Sequence, residues 1–120
     1  MAELKTAFVE MFGDSPMVRV VDFFLMYHLF DYSKSQVARE TGVSRVTIEK
    51  IWSALVKNGM IVRTRVMGRA EMYRLNVGDP RVEALMRFDF EISTRAIERD
   101  EAEFHEKRRL PVRVKGMRPP

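Results

Sequence analysis

The chain of 120 residues contains no cysteine at all. This absence excludes disulfide bonds, thiolate metal sites and a cysteine nucleophile, and it is typical of proteins from a reducing compartment. No apolar stretch approaches the roughly 20 residues that a membrane-spanning helix needs. The first ten residues, MAELKTAFVE, are too charged for a signal peptide. We therefore predict a cytoplasmic protein with no membrane partner.

The residues that most enzymes use are also scarce. The only two histidines, His28 and His105, lie far apart in the sequence and do not have metal-ligand spacing. The sequence contains neither a Ser-His-Asp set nor a glycine-rich loop that could bind phosphates. We therefore predict a protein that is not an enzyme, with no catalytic residues, no metal and no cofactor. The sequence leaves a small-molecule effector open, although no feature indicates one.

The charged residues are distributed unevenly along the chain. Residues 34–75 contain nine basic and three acidic residues, a net charge of +6, and residues 105–120 contain six and one, a net charge of +5. Residues 1–33 and 76–104 are acidic, at −3 and −4, which brings the total to the overall +4. The positive middle segment favours a polyanionic partner.

The spacing of apolar residues predicts a mainly α-helical domain with one small β-hairpin, an α+β fold. A first helix carries an apolar stripe from Leu4 to Phe12, and a second runs from Pro16 to about Phe30 and is apolar on nearly all sides. A last long helix begins at Pro80 after Asp79. We assign residues 1–104 to one domain that includes terminal dimerisation helices, and residues 105–120 to a basic, flexible tail.

Two short helices, which lie between the second helix and the last helix, have strong start and stop signals. Ser33 and Gln36 form a predicted capping box, and Ser44 is the predicted N-cap of the next helix. Gly42 stands between the two helices, where a left-handed residue can close the first. Ala38, four residues before Gly42, is small enough for the helices to cross closely. This spacing predicts a helix-turn-helix.

The second helix of this motif should bury four residues that recur at helical spacing, namely Ile48, Ile51, Trp52 and Leu55. A hairpin follows, with Ile61–Met67 and Ala70–Leu75 as its strands and Gly68 in its turn.

From Pro16 to Leu75, about half of the chain, this arrangement resembles the winged-helix family of transcription regulators. More narrowly it is similar to the small archaeal regulators related to the MarR and ArsR groups. The resemblance implies that the second helix of the motif enters the major groove of DNA and that the hairpin, or wing, contacts the backbone or the minor groove. The metal-sensing cysteines of the ArsR group are absent, so a thiolate metal switch is excluded.

The predicted DNA-binding residues come from both elements. Arg45 should contact a guanine or a phosphate, Lys50 a base or a phosphate, and Glu49 either a cytosine amine or Arg45 of its own helix. The hairpin should present Arg63 and Arg65 on one strand face. Arg69 should lie at the tip of the hairpin, where it can contact the minor groove. The full predicted set is Ser35, Ser44, Arg45, Val46, Thr47, Glu49, Lys50, Ser53, Arg63, Arg65 and Arg69.

The terminal helices and the second helix carry more apolar surface than one small domain needs. We therefore predict a two-fold homodimer, although the first helix could also cover the last within one chain. The predicted dimerisation residues are Phe8, Phe12, Phe23, Leu85, Phe88, Phe90 and Ile92.

The sequence thus predicts a nucleoid-associated, sequence-specific regulator of transcription that binds double-stranded DNA as a homodimer and, in its simplest form, acts as a repressor. One alternative is an architectural protein of a chromosome or plasmid with low sequence specificity, which a comparison of specific with random duplex would distinguish. The second alternative is a winged helix that binds other proteins. Such a module would not need the exposed basic residues.

Overall fold

The computed structural model describes the backbone of residues 5–114 and the side chains of residues 5–107. Within these residues the fold is mixed α and β, with five helices and one three-stranded antiparallel sheet. The elements are α1 (Ala7–Phe12), α2 (Pro16–Met26), β1 (Tyr32–Ser33), α3 (Lys34–Thr41), α4 (Arg45–Lys57), β2 (Ile61–Met67), β3 (Ala70–Leu75) and α5 (Pro80–Val114).

The predicted helix boundaries around Gly42 are confirmed. The Ser33 hydroxyl accepts a hydrogen bond from the Gln36 backbone N–H, and the Gln36 side chain accepts one from the Ser33 backbone at 2.7 Å, which completes the capping box. Ser44 caps α4 by accepting from the Thr47 N–H. Gly42 closes α3 at φ 72° and ψ 18°. Local hydrogen bonds therefore set both ends of the turn between α3 and α4.

The sheet has one strand more than the sequence predicted. The short β1 pairs with β3, so the strand order is β1-β3-β2. In this pairing Tyr32 lies opposite Tyr73, and the buried Ser33 lies opposite Met72. Two residues give too little alternation to be detected as a strand, and β1 exists because β3 provides a partner. The additional strand, β1, directly precedes α3 and therefore connects this helix to the hairpin.

The core lies where α2, α3 and α4 pack against the sheet. Val20, Phe24, Val37, Ile61 and Leu75 are almost completely buried there. The predicted inward side of α4 is confirmed, and its four buried residues are Ile48, Ile51, Trp52 and Leu55.

The Trp52 ring connects three elements of this core. Its centroid lies 5.6 Å from that of Phe24 in α2 and 5.3 Å from that of Tyr73 in β3. Aromatic pairs at these distances contribute packing energy beyond their buried area. Helix α4, which contains Trp52, is therefore packed against both α2 and the sheet.

The second helix is shorter than the sequence predicted. It ends at Met26 rather than Phe30, because the Tyr27 backbone leaves the helical region at φ −113° and ψ 41°. His28 Nδ1 lies 2.9 Å from the Leu25 carbonyl, a group that the end of the helix leaves free. The apolar pattern continues past this point, and Leu29 and Phe30 are exposed.

The terminal helices also differ from their predicted bounds. Helix α1 begins at Ala7, where the Thr6 hydroxyl caps it, and the predicted start at Leu4 lies outside the described residues. Helix α5 continues through residue 104 to Val114, so the segment predicted to be a flexible tail begins as helix. Residues 115–120 of that tail lie outside the described residues.

Candidate nucleic-acid interface

Helix α4 presents one face that no other part of the described chain covers. Val46, Glu49, Lys50 and Ser53 recur at spacings of three and four and are all exposed, as is Arg45 at the helix start. The opposite side of the helix is buried in the core. The packing of α4 therefore leaves five of the predicted DNA-binding residues accessible on one exposed face.

The basic residues of this region fall into two groups. Arg45, Lys50 and Arg69 have neither an ion pair nor a hydrogen bond within residues 5–107, whereas Lys34 is paired with Glu49, its Nζ 2.8 Å from Oε1. The predicted alternative in which Glu49 pairs with Arg45 is wrong, because the start of α3 brings Lys34 closer. An unpaired cation keeps its full charge for a ligand, and a paired one is partly neutralised.

An open cleft of about 390 Å³ separates the start of α3, the face of α4 and the tip of the hairpin. Four of the predicted residues, Ser35, Arg45, Glu49 and Arg69, lie along its walls together with Lys34. The structure thus brings together residues that are up to 35 positions apart in sequence. The cleft is mostly polar and open to solvent.

The hydroxyl groups near the start of α4 are already engaged. Ser44 Oγ accepts from the Thr47 backbone N–H at 3.2 Å and donates to Thr47 Oγ1 at 3.0 Å. Ser35 is exposed and has no hydrogen-bonding partner within the described side chains. Of the three predicted hydroxyl contacts at the helix starts, Ser35 is therefore the freest to bind a phosphate oxygen.

The prediction that Arg63 and Arg65 share one strand face is wrong. A β-bulge at Thr64 places Arg63 opposite Tyr73 and Arg65 opposite Met72, two residues that alternate across β3. Arg63 Nη1 lies 3.3 Å from Glu71 Oε2 on one side of the hairpin. On the other side, Arg65 reaches Asp31.

The side chain of Arg65 is paired with the carboxylate of Asp31. Its Nε and Nη2 donate to the two Asp31 oxygens at 2.9 and 3.1 Å, and the Thr64 hydroxyl donates to the same carboxylate. These bonds from Arg65 and Thr64 lower the pKa of Asp31 to about 2. The bidentate pair ties the bulge of β2 to the residue before β1, so Arg65 orients the hairpin.

Sequence reasoning missed Asp31 and Lys34. Asp31 acts across the sheet, and nothing local marks it as the partner of a residue 34 positions later. Lys34 was detectable, because it is the first residue of a helix whose N-cap was identified and it belongs to the basic segment 34–75. A basic residue at that position points towards the same side as the start of α4.

The predicted dimerisation residues are split between the core and the surface. Phe8, Phe23 and Ile92 are buried inside the chain itself, which corrects their assignment to a subunit surface. Phe8 and Ile92 are covered where α1 packs on α5, and Phe23 packs against the aromatic ring of β1. Leu85 is half-buried. The exposed members of the predicted set are Phe12, Phe88 and Phe90.

Two of the exposed phenylalanines form a pair between α1 and α5. The ring centroids of Phe12 and Phe88 are 5.9 Å apart, and Phe90 is 72% exposed. Beside them, Phe8, Phe12 and Leu85 line an open apolar cleft of about 610 Å³ between α1, α2, α4 and α5. One patch of uncovered apolar surface therefore lies between α1 and α5, apart from the exposed face of α4.

Within the described residues, no group of three or more acidic or histidine side chains could hold a metal ion. None of the helices in that part of the chain has the length and apolar character for crossing a membrane. Comparisons of the chain with protein-family models, with curated proteins and with solved structures found no match. The assignment of a function therefore depends on the geometry of the site.

Proposed function

We propose that this chain is a winged helix-turn-helix protein that binds double-stranded DNA in a sequence-specific manner and regulates transcription. In this proposal α4 enters the major groove, and the β2–β3 hairpin is the wing that follows the adjacent backbone. The observation that carries the proposal is the set of three cations, Arg45, Lys50 and Arg69, that are unpaired among the described side chains and lie around one open cleft and the adjoining face of α4. Such cations are suited to phosphates and to guanine edges.

The arrangement of elements supports the same proposal. The capped α4 is buried on one side and exposed on the other, which leaves its N-terminal residues able to reach base edges. The Asp31–Arg65 pair fixes the hairpin beside it. A rigid support for the contacting residues reduces the entropy that binding would otherwise cost.

We further propose that the chain acts as a homodimer through the apolar surface around Phe12, Phe88 and Phe90. Two copies related by a two-fold axis would present two α4 helices about 34 Å apart to a pseudo-palindromic site. Occupation of such a site within a promoter would repress transcription. Sedimentation of the parent and of Phe90→Glu tests the assembly, and a parent that sediments as a monomer at micromolar concentration would contradict it.

Selection of bound genomic fragments, followed by titration of the best fragment and of random duplex at two salt concentrations, tests DNA binding. A sequence-specific regulator should prefer its site by at least about 10³-fold. We expect Arg45→Ala to reduce this preference, because an arginine–guanine contact contributes roughly 1–3 kcal/mol of discrimination. We expect Arg69→Ala to weaken all duplexes alike and to lower the salt slope by about one unit.

Arg87→Ala is the matched control, because Arg87 lies on the exposed side of α5 in an ion pair with Glu83. It should bind as the parent does. If the Arg45 and Arg69 variants also bind random duplex and selected sites as the parent does, the assigned surface is wrong. A preference far below 10³-fold in the parent would instead favour an architectural DNA-binding protein.

A further inference from the structure

Val46 is a residue of the α4 surface that neither the core nor the helix explains. It lies in the first turn of α4, and its side chain is 70% exposed. A β-branched residue forms helix less readily than alanine or leucine, and an apolar side chain in water contributes nothing to folding. Its presence here therefore has a local cost without a visible gain in the folded chain.

The neighbours of Val46 distinguish it from an ordinary exposed apolar residue. Arg45 precedes it directly, and Lys50 lies one helical turn further on the same face. Both cations lack a partner within the described side chains. Val46 is thus a single apolar group between two unpaired cations, on the part of α4 that is proposed to face the bases.

The major groove of DNA offers one apolar group, the 5-methyl group of thymine. We propose that Val46 contacts this methyl group, and so selects thymine in the same half-site that Arg45 contacts. This inference rests on the proposed function and adds a base preference to it. Glu49, another candidate for base recognition on this face, is paired with Lys34, whose Nζ lies 2.8 Å from Glu49 Oε1.

The size of the expected effect follows from the methyl group alone. Burial of one such group corresponds to about a fourfold change in the dissociation constant. Deoxyuridine differs from thymidine only in lacking this methyl group. A duplex of the selected sequence with deoxyuridine in place of every thymidine therefore removes the proposed contact and keeps all hydrogen-bonding groups of the bases.

The test is a double-mutant cycle measured by fluorescence anisotropy. The parent should bind the deoxyuridine duplex more weakly than the thymidine duplex, by about fourfold for each half-site that it occupies. Val46→Ala removes two methyl groups from the side chain, so the difference between the two duplexes should be clearly smaller than for the parent. Val56→Ala is the matched control, because Val56 lies on the same helix and is 40% exposed at its other end. This control should show the same difference between the two duplexes as the parent.

The possible failures are distinguishable. A parent that binds the selected duplex tightly and is indifferent to deoxyuridine overturns the thymine contact and leaves the proposed function standing. A Val46→Ala variant that shows the full difference between the duplexes overturns the thymine contact in the same way. A parent that binds neither duplex contradicts the proposed function, and the thymine contact falls with it. Thermal unfolding of both valine variants confirms that each is folded before binding is compared.

Discussion

Substitution of Gly42 by alanine measures the conformational cost of the turn between α3 and α4. Gly42 has a left-handed backbone, and its N–H donates to the Ala38 carbonyl at 2.9 Å. A Cβ added there would lie 3.6 Å from Arg19 Nη1, an ordinary van der Waals distance, so no clash contributes. The left-handed conformation costs an L-residue about 1–2 kcal/mol. We therefore expect Gly42→Ala to lower the free energy of unfolding by about 1–2 kcal/mol.

Urea unfolding followed by far-ultraviolet circular dichroism measures this loss. Gly68→Ala is a matched control, because Gly68 also has a positive φ, 63°, and a Cβ there would meet nothing within 4 Å. The free energy of unfolding of Gly68→Ala should fall by a similar amount. Gly42→Asn should lose less, because asparagine tolerates the left-handed region. An unchanged Gly42→Ala would refute the left-handed turn, and a loss above about 4 kcal/mol would reveal a steric conflict that the geometry does not contain.

Three further predictions concern carboxylates. Because Arg65 lowers the pKa of Asp31 from 3.8 to about 2, the parent should be more stable than Asp31→Asn at pH 7, an advantage that is lost as the pH falls below about 4 towards 2. Burial of the Asp22 carboxyl group, and then the charge of Asp89, raise the pKa of Asp22. Asp22→Asn should therefore be more stable than the parent at pH 7 and equally stable below about pH 3.8. Glu49→Gln should strengthen binding to random duplex, because it releases Lys34 and removes a negative charge from the cleft.

Each of these has a measurement that could contradict it. Urea titrations across the pH range compare the two aspartate variants with the parent, and parallel stability curves from pH 7 to pH 2 would refute the assigned pKa shifts. For Glu49→Gln, the control is Glu91→Gln on α5, whose carboxylate pairs with Arg95 away from the cleft. Equal gains in DNA affinity from both variants would show a general charge effect rather than one located in the cleft.

The features that the sequence predicted correctly are those set by neighbours in the chain. Ser33, Gln36 and Ser44 act within three residues of themselves, and Gly42 supplies a backbone conformation that its own lack of a side chain allows. Periodicity identified the buried side of α4 because the helix packs with one side on a single core.

The features that it missed depend on residues distant in sequence. The bulge at Thr64 shifts the register of β2, and a strand read by simple alternation therefore put Arg63 and Arg65 on one face. Asp31 captures Arg65 from across the sheet. The burial of Phe8 and Ile92 depends on how α1 packs against α5, and apolar spacing cannot distinguish that contact from one between subunits.

The position of Trp52 gives the molecule a built-in optical probe. It is the only tryptophan in the chain, its indole is buried between rings from α2 and β3, and one of its edges borders the cleft that contains Arg45 and Arg69. Excitation of this single fluorophore reports loss of the core as a red shift of its emission. Because Trp52 also lines the cleft, we expect DNA bound there as proposed to change the same emission, so unlabelled protein can report both unfolding and binding.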